Sequence, residues 1–149
     1  ERARRYGLPL SVVMFDIDYF KRVNDRLGHQ SGDEVIRCIA RLAETERRAS
    51  DTLGRYGGEE FTMVLPETPL HGAETAARRL CDTVAATAIP VGSGPVHTTI
   101  SAGVAAMRAT DNSKDHLLDR ADTALYEAKA RGRNRIATSG AARGPNDGA

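Results

Sequence analysis

Two pairs of carboxylates in the sequence could bind a metal ion. Asp16 and Asp18 end the apolar run LSVVMFDID, and Glu59 and Glu60 follow two glycines in GRYGGEEFTMVL. Because side chains alternate along a strand, Asp16 and Asp18 are expected on the same side of it. If this strand lies beside the glycine hairpin, Asp16 and one glutamate converge, and converging carboxylates are ligands that Mg²⁺ prefers. Each pair could equally be an ordinary surface cluster or the solvated tip of a turn.

Three cations cluster in a second stretch, AKARGRN, near the C-terminal end of the sequence. Lys129, Arg131 and Arg133 surround the predicted end of a helix, where cations are also expected because they complement the helix dipole. A phosphate site needs ammonium or guanidinium groups in addition to a metal ion. The chain offers both kinds of group, so a phosphate site and two unrelated surface clusters are both compatible with these residues.

The hydrophobic pattern predicts the strands and helices that must position these residues. Their predicted order is β-α-α-β-β-α-β-β-α-β, which indicates an α/β fold with one mixed sheet and helices packed on it. The predicted elements are a strand over 10–18, a short helix over 19–28, a helix over 31–48, a strand–turn–strand over 52–65 centred on Gly57 and Gly58, a helix over 73–84, a hairpin over 88–107 with its turn at 92–95 and a long second strand, a helix over 117–128, and an edge strand over 135–138.

Composition limits the class of protein. The chain has 149 residues with 40% hydrophobic content, which suits one globular domain. Twenty-one basic and twenty acidic residues give a net charge of +1, so no nucleic-acid partner is indicated. A polymerase is excluded by the length and by the lack of a basic track for a template. Cys38 and Cys81 are isolated, which argues against a CxxC site and predicts a reducing, cytoplasmic setting.

The sequence is expected to be a module of a longer protein. Its longest apolar runs, such as SVVMF, are strand-sized, far short of the roughly 20 residues that span a bilayer. The opening ERARRYG lacks the apolar region of a signal peptide. We expect residues 1–9 to end a linker helix, residues 10–138 to form the domain, and residues 139–149 to be a disordered tail. A sensor or regulatory domain is expected upstream, in a protein that is itself soluble or membrane-bound, with no membrane contact by this module.

Five motifs occur together along the chain: DIDYFKRVND, GHQSGDEVI, RYGGEEF, TISAGVA and ADTALYEAKARGRNR. In this order they resemble the GGDEF family, the diguanylate cyclases of bacteria, over about residues 11–136. The resemblance implies a palm-like nucleotide cyclase fold, with a central, mixed, mostly antiparallel sheet of about five strands flanked by helices. It also implies that two GTP molecules condense into cyclic di-GMP with release of two pyrophosphates. Because one domain offers one guanine site, the active species is expected to be a homodimer.

The resemblance implies a metal site at the two pairs of carboxylates. Asp16, Glu59 and the Ile17 carbonyl match the family's ligands for Mg²⁺ or Mn²⁺, with two ions expected per active site. Glu60 is expected to add to this metal site and to be a catalytic residue together with Asp16 and Glu59. No side chain stands out as a general base, so metal activation of the hydroxyl is expected to suffice, with assistance from Glu60 or Asp18 left open.

The resemblance also implies how GTP is held. The residues that match phosphate contacts are Phe20, Lys21, Lys129 and Arg133. Gly57 and Gly58 match a turn that lies against the nucleotide, where missing side chains let the backbone approach it closely. Asn24 and Asp33 match residues that read guanine.

A carboxylate at position 33 is chemically suited to guanine. It can accept hydrogen bonds from both N1–H and the 2-amino group of guanine, whereas adenine offers no such pair of donors. If the carboxylate is buried, leaving it unpaired would disfavour adenine by a factor on the order of 10⁴. Without the motif, Asp33 would be interpreted as an acid in the first turn of a helix, where it complements the helix dipole.

A second site is implied by RASD, which ends six residues before Gly57. Arg48 and Asp51 fit the family's RxxD motif, at which the product cyclic di-GMP inhibits the enzyme. Arg79, or its neighbour Arg78, falls where another arginine joins that site. An isolated RxxD carries no such meaning, because charged helix ends produce it often.

Two other functions are compatible with the fold that the resemblance implies. A GGDEF domain without catalysis could serve as a receptor for cyclic di-GMP or GTP, which departures at the metal ligands, the glycines or the guanine readers would indicate. The sequence shows none of these departures. A purely structural dimerisation module would not need acids and cations around a Gly-Gly turn. Ala102, where a larger aliphatic residue is expected, affects packing only.

Overall fold

The computed structural model describes residues 7–139. Residues 1–6 of the expected linker helix and residues 140–149 of the expected tail lie outside the described residues. In the part of the chain that the structure describes, no helix is long and apolar enough to cross a membrane.

The described chain alternates strands and helices in nearly the predicted order. Its strands are β1 (Leu10–Ile17), β2 (Thr52–Arg55), β3 (Glu60–Pro66), β4 (Ile89–Val91), β5 (Gly94–Val96), β6 (Ile100–Ala106) and β7 (Ile136–Thr138). Its helices are α1 (Phe20–Leu27), α2 (His29–Glu46), α3 (Leu70–Ala86) and α4 (Lys114–Ala130). The predicted helices are thus confirmed, with α2, α3 and α4 beginning a few residues earlier than the periodic apolar positions indicated.

The central sheet has five strands in the order β2-β3-β1-β6-β7. All neighbours pair antiparallel except β6 and β7, which are parallel. This arrangement confirms the predicted mixed, mostly antiparallel sheet flanked by helices. Strand β1 lies at its centre, with β3 on one side and β6 on the other.

Both faces of β1 are buried, which explains why its sequence is a continuous apolar run. Val13, Phe15 and Ile17 belong to the larger core, which also contains buried side chains of α2 and α3. Val12 and Met14 belong to a second cluster with buried residues of α4. Helices therefore cover the sheet on both faces, with α4 on one and the pair α2 and α3 on the other.

The predicted hairpin over 88–107 is partly wrong. Strands β4 and β5 form a separate two-stranded sheet with Gly92 and Ser93 as its turn, and β6 belongs to the central sheet. The long second strand is interrupted because the intervening residues turn toward Asp18. Thr98 Oγ1 donates to the Asp18 carbonyl at 3.4 Å, and the Asp18 amide donates to the Thr99 carbonyl at 2.9 Å.

Ala102 is a buried residue of β6 that lies opposite Phe15. The Phe15 ring stacks on Phe61 of β3, with centroids 5.0 Å apart and planes inclined by 10°. Ala102, Phe15 and Phe61 all belong to the larger hydrophobic core.

Gly103 of β6 lies directly beneath α4. A Cβ atom built at this position would overlap the backbone of Ala121 and Leu125. Since backbone cannot move aside as a flexible side chain does, the close approach of α4 to the sheet requires glycine here.

We predict that Gly103→Ala destabilises the fold by about 2 kcal/mol or more, because α4 must move away from the sheet to accept the methyl group. Chemical denaturation measured by circular dichroism tests this. Gly54→Ala is the matched control, since Gly54 also lies in a strand but a Cβ there has no neighbour within 4 Å. Equal stability of both variants would contradict the assignment of Gly103 as a packing glycine.

Candidate active site

The end of β1 and the start of β3 bring the predicted acids together. Asp16 lies directly opposite Glu60 in the antiparallel register. The Ile17 amide donates to the Glu59 carbonyl at 3.3 Å, which ties the end of β1 to the residue that precedes β3. The predicted convergence of Asp16 with the GGEE turn is therefore present, and two-sided burial of β1 fixes its register.

The glycine loop between β2 and β3 consists of four residues, Tyr56 to Glu59. The amides of Tyr56 and Gly57 both donate to the Glu60 carbonyl, at 2.7 and 3.3 Å. Arg55 Nε donates to the carbonyls of Gly57 and Gly58 at 3.2 and 2.9 Å. The loop is thus a compact turn held by its own hydrogen bonds.

Gly57 and Gly58 are not required by the fold itself. Neither residue has φ in the left-handed region. A Cβ at Gly58 would have no neighbour within 4 Å, and one at Gly57 would meet only the Glu60 side chain, at 3.7 Å and beyond. Both glycines are exposed. A close approach of the backbone to a molecule outside the chain accounts for the two glycines better than turn geometry or internal packing does.

Asp16 is the buried centre of the charged groups. Its carboxylate forms a short ion pair with Lys129 Nζ of α4. Burial raises the pKa of Asp16 above its ordinary value, and the nearby carboxylates of Glu59 and Glu60 raise it further, while Lys129 lowers it. Three carboxylates lie near a single ammonium group, so negative charge is in excess at this corner of the sheet. The excess favours binding of a further cation.

The donor set at this corner fits a hard metal ion. Within residues 7–139, no three side chains of His, Cys, Asp or Glu lie close enough to form a metal site by themselves. Mg²⁺ does not need such a cage, because it is commonly bound by one or two carboxylates together with water and substrate phosphates. Asp16, Glu59 and the Ile17 carbonyl supply oxygen only, which matches that preference.

Asp18 has a different environment from Asp16. It is 3% exposed, and its carboxylate accepts hydrogen bonds from Thr99 Oγ1 at 2.6 Å, Ser101 Oγ at 2.6 Å and the Asn134 amide at 3.0 Å. These contacts join the end of β1 to β6 and to the turn after α4. Sequence reasoning missed this role, although hydroxyl residues within the buried strand TISAGVA were a signal for it.

The expected phosphate contacts lie around the start of α1. Within the described chain, the amides of Phe20 and Lys21 make no hydrogen bond, and no side chain caps this helix. Unpaired amides at a helix N-terminus attract anions. Arg133 reaches the same place, since its Cζ lies 4.6 Å from the centre of the Tyr19 ring. Lys21 Nζ is exposed and pairs with Asp25 at 3.3 Å.

The expected guanine readers lie where α1 and α2 meet. Asn24 Oδ1 is buried and has no hydrogen-bond partner, which is uncommon for a buried polar atom. A Cβ at Gly32 of α2 would overlap this side chain, so the first turn of α2 packs closely on it. Asp33 follows Gly32 and is exposed. The structure therefore places Asn24 against Gly32, the residue before Asp33, and within residues 7–139 no hydrogen bond joins the Asn24 and Asp33 side chains.

The RxxD residues are joined to each other. The Arg48 amide donates to Asp51 Oδ2 at 2.9 Å, and Arg48 Nη2 lies 3.4 Å from Asp51 Oδ1. The Arg48 side chain also contacts Thr68 Oγ1 and, at 3.2 Å, the Pro66 carbonyl. Arg79 instead pairs with Glu46, at 3.8 Å. The structure thus brings Arg48 and Asp51 together and leaves Arg79 at the nearby end of α2.

Comparisons with known proteins agree on one family. The family model "Diguanylate cyclase, GGDEF domain" matches residues 1–135. The chain is 44% identical over 126 residues to the diguanylate cyclase DgcM of Escherichia coli, covering 85% of this chain and 30% of that protein. It spans only 20–35% of the length of the curated relatives that it matches.

Two solved structures resemble it closely. The active GGEEF domain of a diguanylate cyclase from Vibrio cholerae has a TM-score of 0.87 and 36% identity, over 93% of this chain and 87% of that one. The GGDEF domain of DgcB from Caulobacter crescentus, solved with c-di-GMP, has a TM-score of 0.88 and 33% identity, over 93% of this chain and 82% of that one.

We predict that Asp18→Ala lowers the free energy of unfolding by about 2–4 kcal/mol, because buried donors lose their acceptor. Asp18→Asn should cost much less, since its amide can still accept from Thr99 and Asn134 and donate to Ser101. Chemical denaturation measures both, with Asp82→Ala, an exposed carboxylate on α3, as the control. A loss for Asp18→Asn as large as that for Asp18→Ala would contradict the structural role.

Proposed function

Because the chain belongs to the GGDEF family of diguanylate cyclases, we propose that it condenses two molecules of GTP into cyclic di-GMP with release of two pyrophosphates. The observation that carries this proposal is the convergence of Asp16, Glu59, Glu60 and Lys129 beside two glycines that the fold does not otherwise require. The catalytic positions implied by the family are all occupied by suitable residues in this chain.

Asp16, Glu59 and the Ile17 carbonyl would hold Mg²⁺ or Mn²⁺, with two ions proposed per active site. The metal would neutralise charge on the phosphate oxygens and lower the pKa of the attacking 3′-hydroxyl. Of the two candidates to assist proton removal, Glu60 is the better, since it is half-buried opposite Asp16. Asp18 already accepts three hydrogen bonds inside the chain.

The chain's own groups would hold the triphosphate between α1 and α4. The unpaired amides of Phe20 and Lys21 can donate to phosphate oxygens at the positive end of the α1 dipole. Lys129 neutralises Asp16 in the structure, and its flexible stem lets the same ammonium serve a phosphate oxygen beside it. Arg133 adds a guanidinium from the turn after α4. The backbone at Gly57 and Gly58 would lie against the nucleotide.

Guanine would be recognised at the junction of α1 and α2. The unpartnered Oδ1 of Asn24 is an acceptor that a donor on the base could satisfy, and Asp33 offers a carboxylate for N1–H and the 2-amino group. Gly32 lets α2 pack directly on the Asn24 side chain, and we infer that this packing allows Asn24 and Asp33 to serve one base. Asp33 is exposed in the structure, so we propose that the bound base shields its carboxylate from water. Adenine lacks the N1–H and 2-amino donors and would then leave that carboxylate unpaired.

One chain supplies one set of these groups, so turnover requires two chains with facing sites. A homodimer with two-fold symmetry would align the 3′-hydroxyl of each GTP with the α-phosphorus of the other. The short span of this chain relative to its relatives fits a module whose dimerisation is set by other parts of a longer protein. Arg48, Asp51 and Arg79 would bind cyclic di-GMP at a separate site and inhibit the enzyme.

We predict that the chain, incubated with GTP and Mg²⁺, forms cyclic di-GMP detectable by mass spectrometry. Glu59→Gln should reduce turnover by roughly 10²-fold or more, because Asp16 remains as the only proposed side-chain ligand. The variant should stay folded, as judged by circular dichroism. Glu67→Gln, an exposed glutamate beyond the opposite end of β3, is the matched control.

This assay is decisive when it is run at high protein concentration and with a dimerising segment fused to the N-terminus. If no cyclic di-GMP forms under those conditions, the enzyme assignment is wrong. Tight binding of added cyclic di-GMP in the same sample would then identify a receptor.

We also predict that Arg48→Ala weakens inhibition by cyclic di-GMP about 10-fold or more, since a charge-assisted contact to the ligand is lost, and that uninhibited activity is retained. The measurement is initial rate against added cyclic di-GMP. Lys114→Ala removes an exposed cation at the start of α4 and should leave the curve unchanged. An inhibition curve for Arg48→Ala that coincides with the wild type would refute the RxxD site.

A further inference from the structure

Backbone in the left-handed region is concentrated at one place in the molecule. Within residues 7–139, the non-glycine residues with positive φ are Tyr19 at 55°, Glu67 at 51°, Arg133 at 64° and Asn134 at 50°. Tyr19 caps α1, while Arg133 and Asn134 form the turn between α4 and β7. Because this conformation is unfavourable for residues with a side chain, it persists where the surroundings impose it, and it is often found at functional sites.

The Tyr19 ring connects these two turns. Arg22 Cζ lies 4.2 Å from the ring centroid and Arg133 Cζ lies 4.6 Å from it. Both distances are well inside the range of cation–π contacts. Tyr19 lies at the surface and not in the core, since 49% of the residue's surface is exposed. The two guanidinium groups therefore contact a ring that lies at the surface of the molecule.

Two hydrogen bonds fix the backbone that carries Arg133. The Arg133 amide donates to the Ala128 carbonyl at 3.0 Å, and the Asn134 amide donates to Asp18 Oδ2 at 3.0 Å. The second of these bonds attaches the turn to the residue directly before Tyr19. The Arg133 side chain consequently starts from a defined position beside the ring.

Neither guanidinium is used elsewhere. In the described chain, no ion pair or hydrogen bond engages the guanidinium group of Arg22 or of Arg133, and the Tyr19 ring is the contact that both groups share. A guanidinium that stacks on an aromatic ring uses its flat face and leaves the N–H groups at its edge available. Two parallel N–H groups at such an edge can donate to two oxygens of one phosphate.

We propose that Tyr19 is a positioning residue that holds Arg22 and Arg133 by their faces, so that their N–H edges bind the terminal phosphates of GTP. This adds Arg22 to the phosphate-binding groups and gives Tyr19 a role that depends on its aromatic ring and not on its hydroxyl. The negative faces of the ring attract both guanidinium groups, which partly offsets the repulsion between their charges. The inference rests on the proposed function for the identity of the phosphate compound.

Binding of inorganic pyrophosphate, measured by isothermal titration calorimetry, tests the proposal without requiring turnover or guanine. Tyr19→Leu should weaken pyrophosphate binding roughly 3- to 30-fold, which is the range that loss of a cation–π contact covers. Tyr19→Phe should bind as the wild type does, since it keeps the ring. Tyr126→Leu, an exposed tyrosine on α4, is the matched control. Melting temperatures show that each variant is folded.

A second set of variants tests whether Tyr19 acts through the two arginines. In a chain that carries both Arg22→Gln and Arg133→Gln, Tyr19→Leu should have no further effect on pyrophosphate binding. Three results would each overturn the proposal. Tyr19→Leu could weaken pyrophosphate binding as much in the double-arginine variant as in the wild type, Tyr19→Leu alone could bind pyrophosphate with wild-type affinity, or the wild type could fail to bind pyrophosphate. Titration with GMP separates it from the proposed function. Tyr19-dependent pyrophosphate binding without GMP binding or turnover would support this inference and refute the cyclase.

Discussion

The register of β1 is the constraint on which the site depends. Because helices cover both faces of this strand, a shift by one residue would place its alternate side chains in the wrong core. The register therefore fixes Asp16 opposite Glu60 without any contribution from the charged groups. Asp18 directly follows β1, and its hydrogen bonds attach β6 and the turn after α4 to the end of this strand. The apolar residues thus determine where the acids lie, and the acids carry the chemistry.

Charge at the end of β1 is balanced through a contact that is distant in sequence. Asp16 is buried beside two other carboxylates, and Lys129 of α4 is the cation that meets it. An isolated buried carboxylate is costly, so the position of α4 matters to Asp16 as much as its neighbours in the sheet do. The turn that follows α4 then brings Arg133 to Tyr19. One helix in this way supplies both the ammonium that faces the acids and the guanidinium near α1.

Much of this arrangement could be predicted from the sequence, because the signals were local. The apolar run of β1, the periodic helices and the turn residues at Gly57 and Gly58 predicted the elements and the meeting of Asp16 with the GGEE turn. The split of the 88–107 hairpin could not be predicted, since it depends on hydrogen bonds from Thr98 and Thr99 to Asp18, a residue far away in sequence. The same is true of Arg79, which pairs with Glu46, and of the left-handed backbone at Tyr19, a residue type that rarely adopts it.

The close contact of α4 with the sheet at Gly103 has a consequence beyond stability. Helix α4 meets the backbone of β6 at a position with no side chain, so main-chain atoms limit how closely the helix approaches the sheet at this point. The same helix carries Lys129 toward the end of β1. The spacing between helix and sheet therefore determines how far the ammonium group reaches into the cluster of acids. Any side chain at position 103 would act as a spacer between β6 and α4, and it would thereby move the ammonium group of Lys129 relative to Asp16.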